Sequence, residues 1–522
     1  MKIIHLNTFD IAGGAARAAY RLHEGLLKIG KESQVLSLYK TSSDHHVLEY
    51  PLDKSLNNSD FNYSNYIQKY YINHNRTPIS NTLFSLGYSG FNVAELESIV
   101  SSDIINLHWI TSGFLSPLTV KKILDLGKPV VWTLHDMWSF TGGCHYTAGC
   151  QGYESNCLNC PQISEDIFNL PSYLLKEKIE YFNHSHLTIV TPSQWLAKCA
   201  KKSQVFQNHR IEVIPYSLDT NIFQPIDKLE AKSKLQFNLH DIILLVGAVT
   251  GKEKRKGFLE LINSLKLCQN NHLFAELTKN NILKICCFGE PNDEFQNLGI
   301  TVISFGNINS DQELTLIYSA ADIFILPSLE DNFPNTMLES MSCGTPVIAF
   351  DIGGIPDLIK DQVSGSIVPY NSIELMSEKI IQLISDRALC ARMGKKSREI
   401  ITKNYHLSVQ ANNYLQLYQE LINNPPININ QYSSSSNNDF NQNNRGIYFD
   451  KIYGDLVLFS MEKELKITLE KLHQTEVKLR ETENIASQYQ QTITAMKSSK
   501  FWSLREKWFN FKKTFGLPTN ED

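Results

Sequence analysis

Short apolar runs alternating with stretches of helical spacing constrain residues 1–420 of this chain more than any other feature. In the first half the runs are KIIHLN (Lys2–Asn7), QVLSLY (Gln34–Tyr39), IINLHWI (Ile104–Ile110), VVWTLHD (Val130–Asp136), LTIVTPS (Leu187–Ser193) and IEVIP (Ile211–Pro215). In the second half they are DIILLVGA (Asp241–Ala248), LKICCFG (Leu283–Gly289), ITVISFG (Ile300–Gly306), ADIFILPS (Ala321–Ser328) and TPVIAFD (Thr345–Asp351). Most are apolar throughout rather than alternating, which is the pattern of a strand covered on both faces. Such strands separated by helices build parallel sheets, and two series of them build two doubly wound α/β domains. The break falls in PYSLDTNIFQPIDKLEAKSKL (Pro215–Leu235), which carries prolines and charges. Ligands bind such sheets beyond the carboxyl ends of the strands, so the cleft between the two domains is the expected site.

The composition changes after Asn423. NNPPININQYSSSSNNDFNQNN has almost nothing to bury and reads as a flexible linker over residues 424–450. Residues 451–496 then carry a seven-residue repeat of Leu458, Leu465, Leu472, Leu479, Ala486 and Ile493. That repeat suits a coiled coil pairing two chains, or a single charged helix lying on another surface. Residues 497–522 form a basic aromatic amphipathic tail, with Phe501, Leu504, Trp508, Phe511 and Phe515 in one helical stripe flanked by Lys500, Lys507, Arg505 and Lys512. Such a stripe fits an anionic membrane surface, or packing on another part of the protein or a partner.

The most specific chemical signal is the run PSLEDNFPNTMLESMSCGTPVIAF that starts at Pro327. A strand delivers the acidic loop Glu330-Asp331-Asn332, a helix from Asn335 carries Glu339, and the turn Cys343-Gly344-Thr345-Pro346 leads into the next strand. Fixed carboxylates accept hydrogen bonds from sugar hydroxyls, and free N–H groups at a helix start hold phosphate. This run resembles family 4 of the retaining glycosyltransferases (glycosyl transferases group 1, GT-B fold), whose pattern is two glutamates eight positions apart followed by a small-residue turn. Asp331 stands where the family has its first glutamate, with Glu330 adjacent, so either carboxylate is a candidate for the sugar.

The resemblance implies further residues. Gly13 and Gly14, after the first strand, would lie against donor phosphate and acceptor. Lys256, before Gly257, would hold the diphosphate. The family's companion arginine is absent, since Ala248 follows Gly247, and Arg255 is the nearest substitute. His135, at a strand end, would face the transferring sugar. Asn335 would place backbone N–H groups on phosphate, and Glu339 would bind ribose hydroxyls. His135, Asp331 and Lys256 are therefore the expected catalytic residues. Gly13, Gly14, Arg255, Lys256, Asp331, Asn335 and Glu339 are the expected donor-binding set. No D-x-D pair follows a strand, so no cofactor is expected for transfer.

Four cysteines cluster outside the family's common core: Cys144, Cys150, Cys157 and Cys160. Their spacing suits a structural zinc, with His145 as a spare ligand; free thiols or a disulfide pair are the other readings. The remaining cysteines are scattered, as in a reducing compartment.

Net charge is −5, so no basic field argues for nucleic acid. The N-terminal run breaks at His5, Asn7 and Asp10 and does not read as a signal peptide, and no stretch has the length of a transmembrane helix. The chain is thus expected to comprise residues 1–215 as an acceptor-side Rossmann-like domain and residues 216–423 as a nucleotide-sugar domain whose last helix can return to the first. The expected function is retaining transfer from a nucleoside diphosphate-sugar to a glycan or lipid-linked acceptor in surface polysaccharide synthesis. It would take place in the cytoplasm, at the inner face of the membrane, with self-association through the coiled coil. The alternatives are a non-catalytic GT-B partner of another transferase and a sugar-nucleotide epimerase.

Overall fold

The computed structural model describes residues 1–52, 59–80, 82–250, 253–290, 293–425 and 447–517. The chain divides into two units, residues 1–452 and residues 453–522.

The first unit holds two parallel sheets. The first contains β1 (Lys2–Phe9), β2 (Glu32–Tyr39), β3 (Val47–Glu49), β4 (Ile104–Leu107), β5 (Val130–Thr133), β6 (Leu187–Thr191) and β7 (Arg210–Val213), in the order β3-β2-β1-β4-β5-β6-β7. The second contains β8 (Ile242–Thr250), β9 (Leu283–Glu290), β10 (Thr301–Ser304), β11 (Ile323–Leu326), β12 (Val347–Phe350) and β13 (Gly365–Val368), in the order β10-β9-β8-β11-β12-β13. β1 runs parallel to both β2 and β4, with Ile3 opposite Ser33 and Ile104, and β11 runs parallel to β8 and β12. Strands β4, β5, β6, β11 and β12 are buried at every residue, as contiguous apolar runs require. This is the doubly wound α/β architecture expected from those runs. In each sheet the order reverses once, at β1/β4 and at β8/β11, and such reversals open a crevice at the strand ends.

Helices cover the sheets by burying one face. The helix Gly14–Lys28 turns Ala18, Leu22 and Leu26 inward. The helix Leu407–Asn423 follows the second sheet in sequence but packs on the first. Its Ala411, Tyr414, Leu417 and Tyr418 share a core with Ile3, Leu22, Val131 and Val190. Two of its tyrosines reach buried polar groups on the strands: Asn106 Nδ2 donates to the Tyr418 hydroxyl at 2.7 Å, and the Thr133 and Tyr414 hydroxyls meet at 3.0 Å. The chain crosses between the sheets twice, and the crossings touch where Leu218 N donates to Tyr405 O at 3.1 Å.

Most of the expected linker, residues 426–446, lies outside the described residues. Its end is corrected: residues 447–450 already belong to the helix Ile447–Ser498. At about 1.5 Å per residue, the 52 residues of that helix extend roughly 78 Å. It is one helix, and Leu458, Leu465, Leu472 and Leu479 all face solvent. Ser499 interrupts it with extended backbone and caps the next helix, Lys500–Thr514, by accepting from Trp502 N. Phe501, Leu504, Trp508 and Phe511 are exposed on that last helix, and Phe515 is exposed just past its end. No helix among the described residues is long and apolar enough to cross a membrane.

Candidate active site

The acidic loop leaves the carboxyl end of β11 and is held from three sides. Asp331 is buried and faces two cations: Lys256 Nζ donates to its Oδ2 at 2.6 Å and Arg255 NH1 at 3.2 Å. Burial works against the charged carboxyl, but Lys256 and Arg255 outweigh it and hold the pKa below the usual range. Arg255 also bonds Glu253 at 2.7 Å and lies over the Tyr146 ring at 4.4 Å. Glu330 points away from this cluster. Its carboxylate accepts from Thr147 N and Ala148 N, each at 3.1 Å, on the cysteine-bearing segment of the first domain. Of the two candidate carboxylates, Asp331 sits among the cations.

Two glycines permit this packing. Gly257 has φ of 69°, and a Cβ there would lie 1.8 Å from Pro327 O. Gly353 has φ of 54°, and a Cβ there would lie 1.7 Å from Asp331 O. Left-handed backbone and this degree of approach both demand glycine. The loops after β8 and β12 thereby close on the acidic loop.

The helix Asn335–Ser342 begins after Pro334 with no side-chain cap. Asn335 Nδ2 donates to Gly14 O at 2.8 Å, so the Gly13-Gly14 turn of the first domain abuts this helix start. Glu339, one turn further, is buried. It accepts from Arg21 NH2 at 2.7 Å and from the Tyr318 hydroxyl at 3.1 Å, and Arg17 stands 3.9 Å away. Arg17 itself donates to Asp311 at 3.1 Å.

His135 lies two residues beyond β5, and both ring nitrogens are engaged. Nδ1 meets the Tyr216 hydroxyl at 2.6 Å, and Nε2 meets His108 Nδ1 at 3.0 Å. His108 Nε2 in turn meets His5 Nδ1 at 2.9 Å, making a line of three imidazoles. Burial brings His135 down to about 4 and also lowers His5 and His108 well below the usual imidazole range, so all three are neutral at pH 7. The His135 carbonyl accepts from Asn332 Nδ2 at 3.2 Å, bringing the acidic loop beside it. Asp136, the next residue, pairs with other groups. Its Oδ2 accepts from His145 at 2.6 Å and from Trp109 Nε1 at 2.8 Å.

Cys144, Cys150, Cys157 and Cys160 are free thiols lining one cavity. Among the described residues, the one group of three potential ligand atoms within 4.8 Å of one another is elsewhere, so no three of these sulfurs are mutually that close. His145 is not a spare ligand, because its second nitrogen meets Ser85 Oγ at 3.0 Å. Lys178 is buried beside the cysteines, bonded to the Trp138 carbonyl and, at 2.9 Å, to the Thr141 carbonyl. Burial brings its pKa down to about 7.

Arg21, Tyr216, Tyr146, Tyr318 and Lys178 were not singled out from the sequence. Arg21 had a signal: it lies four residues after Arg17, on the same helix face. The tyrosines and Lys178 carried none, since each reaches its partner only through the fold.

Two family models match the chain. Residues 12–222 match Glycosyltransferase Family 4 and residues 227–400 match Glycosyl transferases group 1. A protein of Escherichia coli K12 named for colanic acid biosynthesis, the glycosyl transferase WcaC, is 22% identical over 454 residues, covering 81% of this chain and 100% of that protein. A D-inositol 3-phosphate glycosyltransferase of Streptosporangium roseum is 30% identical over 173 residues, 30% of this chain and 38% of that protein. Sucrose-phosphate synthase from Thermosynechococcus elongatus has the same fold, with a TM-score of 0.53 at 18% identity over 81% of this chain and 100% of that one. Anabaena HepE, solved with UDP and glucose, gives 0.54 at 15% identity over the same shares. With the Gly13-Gly14 turn inside the first matched segment and the acidic loop and its helix inside the second, the chain belongs to the glycosyltransferases that these two models, Family 4 and group 1, describe together, in the GT-B fold.

Proposed function

We propose that this protein transfers a sugar, with retention, from a nucleoside diphosphate-sugar to a glycan or lipid-linked acceptor in cell-surface polysaccharide synthesis. The observation that carries the reading is the meeting of Asp331, Lys256 and Arg255 beside the uncapped start of the Asn335–Ser342 helix. The two cations and the helix N–H groups suit the diphosphate, Asp331 a sugar hydroxyl and Glu339 the ribose hydroxyls. Donor entry would exchange partners already present: phosphate oxygens for Asp331 at Lys256, and ribose for Arg21 at Glu339. The solved complexes of HepE with UDP and UDP-glucose support a uridine donor.

In this reading the acceptor, held near Gly13-Gly14 and His135, attacks the anomeric carbon from the face the diphosphate leaves. The carbon–phosphate oxygen bond breaks, the new carbon–oxygen bond forms, and the acceptor's proton passes to the departing phosphate. Lys256 and Arg255 stabilise the charge that develops there. His135, held neutral, offers a hydrogen bond to a sugar hydroxyl if Tyr216 gives way. The test is nucleotide-sugar turnover by Lys256→Ala and Glu339→Ala, each expected to lose about 10²–10³-fold in kcat/KM. Full activity in both overturns the assignment.

The second unit supports a place for the reaction. The solvent-facing heptad leucines suit a two-chain coiled coil, and the exposed aromatic stripe with its lysines suits the anionic inner face of a membrane. The four cysteines lining one cavity beside Lys178 suit a structural zinc if their sulfurs draw together, because the ammonium would offset thiolate charge.

A further inference from the structure

Away from the cleft, the helix Gly14–Lys28 and the loop after β2 bring two imidazoles and a carboxylate together. One ligand atom from each of His23, Asp44 and His46 lies within 4.8 Å of the other two. His23 Nε2 is 3.7 Å from Asp44 Oδ2, and His46 Nδ1 is 3.1 Å from Asp44 Oδ1. His23 is fully buried, and its Nε2 has no hydrogen-bond partner. Its other nitrogen meets Ser33 Oγ at 2.7 Å, which fixes the ring and aims Nε2 into the cluster. The Tyr20 hydroxyl donates to Asp44 Oδ2 at 2.9 Å and fixes the carboxylate in the same way.

The arrangement is incomplete as a set of hydrogen bonds. A buried nitrogen 3.7 Å from a carboxylate oxygen makes no bond to it, and an unmade buried bond is costly. A buried imidazole nitrogen without a partner facing a carboxylate, with a second imidazole beside them, is a donor set for a cation.

We propose that His23, Asp44 and His46 bind a divalent transition-metal ion of the zinc type. Two imidazoles among three donors select such ions over magnesium or calcium, which take oxygen ligands. Ligand bonds of about 2.0–2.2 Å place donor atoms about 3.3 Å apart, so the loop must close slightly. His46 is partly exposed and on the loop, so it can make that movement, and its open side admits water as a further ligand. The ion would brace the loop of residues 40–46 against the helix that carries Arg17 and Arg21. That loop is already tied to the segment after β1, because Asp10 accepts from Thr41 N and Ser42 N at 2.9 and 2.7 Å. The site therefore stiffens the acceptor side of the cleft without touching the proposed donor residues.

The test is cobalt titration of the chelator-treated full-length protein, with zinc-dependent melting as a second readout. The expected result is one equivalent of cobalt with weak visible bands and no thiolate character, distinct from any intense near-ultraviolet thiolate band contributed by the four cysteines. That signal should vanish in His46→Ala and Asp44→Asn and survive in Cys157→Ser. Zinc, but not magnesium, should raise the melting temperature, and His46→Ala should lose that part of the rise that survives in Cys157→Ser. Cobalt bands of thiolate character alone, lost in Cys157→Ser and unchanged in His46→Ala, would overturn the proposal. So would the absence of any cobalt signal at a hundredfold excess of metal. His23→Ala is not needed, which avoids a buried substitution that can impair folding.

Discussion

Arg21 of the first domain donates to Glu339 of the second at 2.7 Å, and both side chains are almost fully buried. The pair joins the two halves at the point where the proposed nucleotide enters. Breaking a buried ion pair from one side leaves an uncompensated charge, which costs about 3–5 kcal/mol. Arg21→Met should therefore destabilise the protein by about that amount in urea unfolding, and Arg21→Met with Glu339→Gln should recover part of the loss. Equal stability of the single variant and the wild type would mean that Arg17 takes over the pairing.

Gly257 offers a sharper test of the donor loop. Alanine at that position would adopt left-handed backbone, at about 1–2 kcal/mol, and its Cβ would collide with Pro327 O. The loop bearing Lys256 and Arg255 must then shift. Gly257→Ala is expected to keep the fold by circular dichroism and to weaken donor binding by tenfold or more by calorimetry. Unchanged donor affinity would remove Lys256 from the donor site.

The line of His5, His108 and His135 makes stability depend on acidity. Each has a folded pKa below its unfolded value, so between pH 6.5 and about 4 the unfolded chain binds more protons. Stability then rises with pH in that window and falls on acidification, by about 1.4 kcal/mol per pH unit for each proton taken up. Denaturant melts at pH 7, 6, 5 and 4.5 should show a steepening loss. His108→Gln, which cannot be protonated, should flatten it. A flat profile from pH 6.5 to 4.5 would contradict the buried, neutral state of these rings.

Much of the fold was legible because buried parallel strands are written as contiguous apolar residues. Val130–Thr133 and Ile323–Leu326 could hardly be anything else. β3 and β13 were not seen: Val-Leu-Glu is short with one fully buried residue, and Gly-Ser-Ile-Val opens on two small residues. That Asp331 would lie with Lys256, and that Glu339 would follow on the next helix, could be expected from the likeness of their strand-loop-helix segments to the family pattern. Arg21 was not legible, because its partner is 318 positions away and a helical arginine reads as a surface residue. The His23, Asp44 and His46 group was equally hidden, since helix and loop meet only in three dimensions. The cysteine spacing was plain, but spacing in sequence says little about distance between sulfurs.

The second unit makes a prediction of its own. Leu465→Glu with Leu472→Glu should shift the protein to a smaller species in sedimentation velocity and leave turnover on a soluble acceptor within about twofold, since exposed positions away from a site change little. Trp508→Glu should reduce flotation with vesicles containing anionic lipid and leave flotation with neutral vesicles at background. Identical sedimentation in all variants would argue that the leucines meet nothing.

The contact between Leu218 and Tyr405 makes the two passages of the chain into one spine. Residues 219–404, which carry the whole second sheet, leave and rejoin the rest of the chain at that spine. The second-sheet half of another enzyme of this family, the half proposed to hold the donor, could be grafted there by joining two neighbouring ends, with the first-sheet half left uncut. New pairings of sugar and acceptor would then be reachable by exchange of a single cassette.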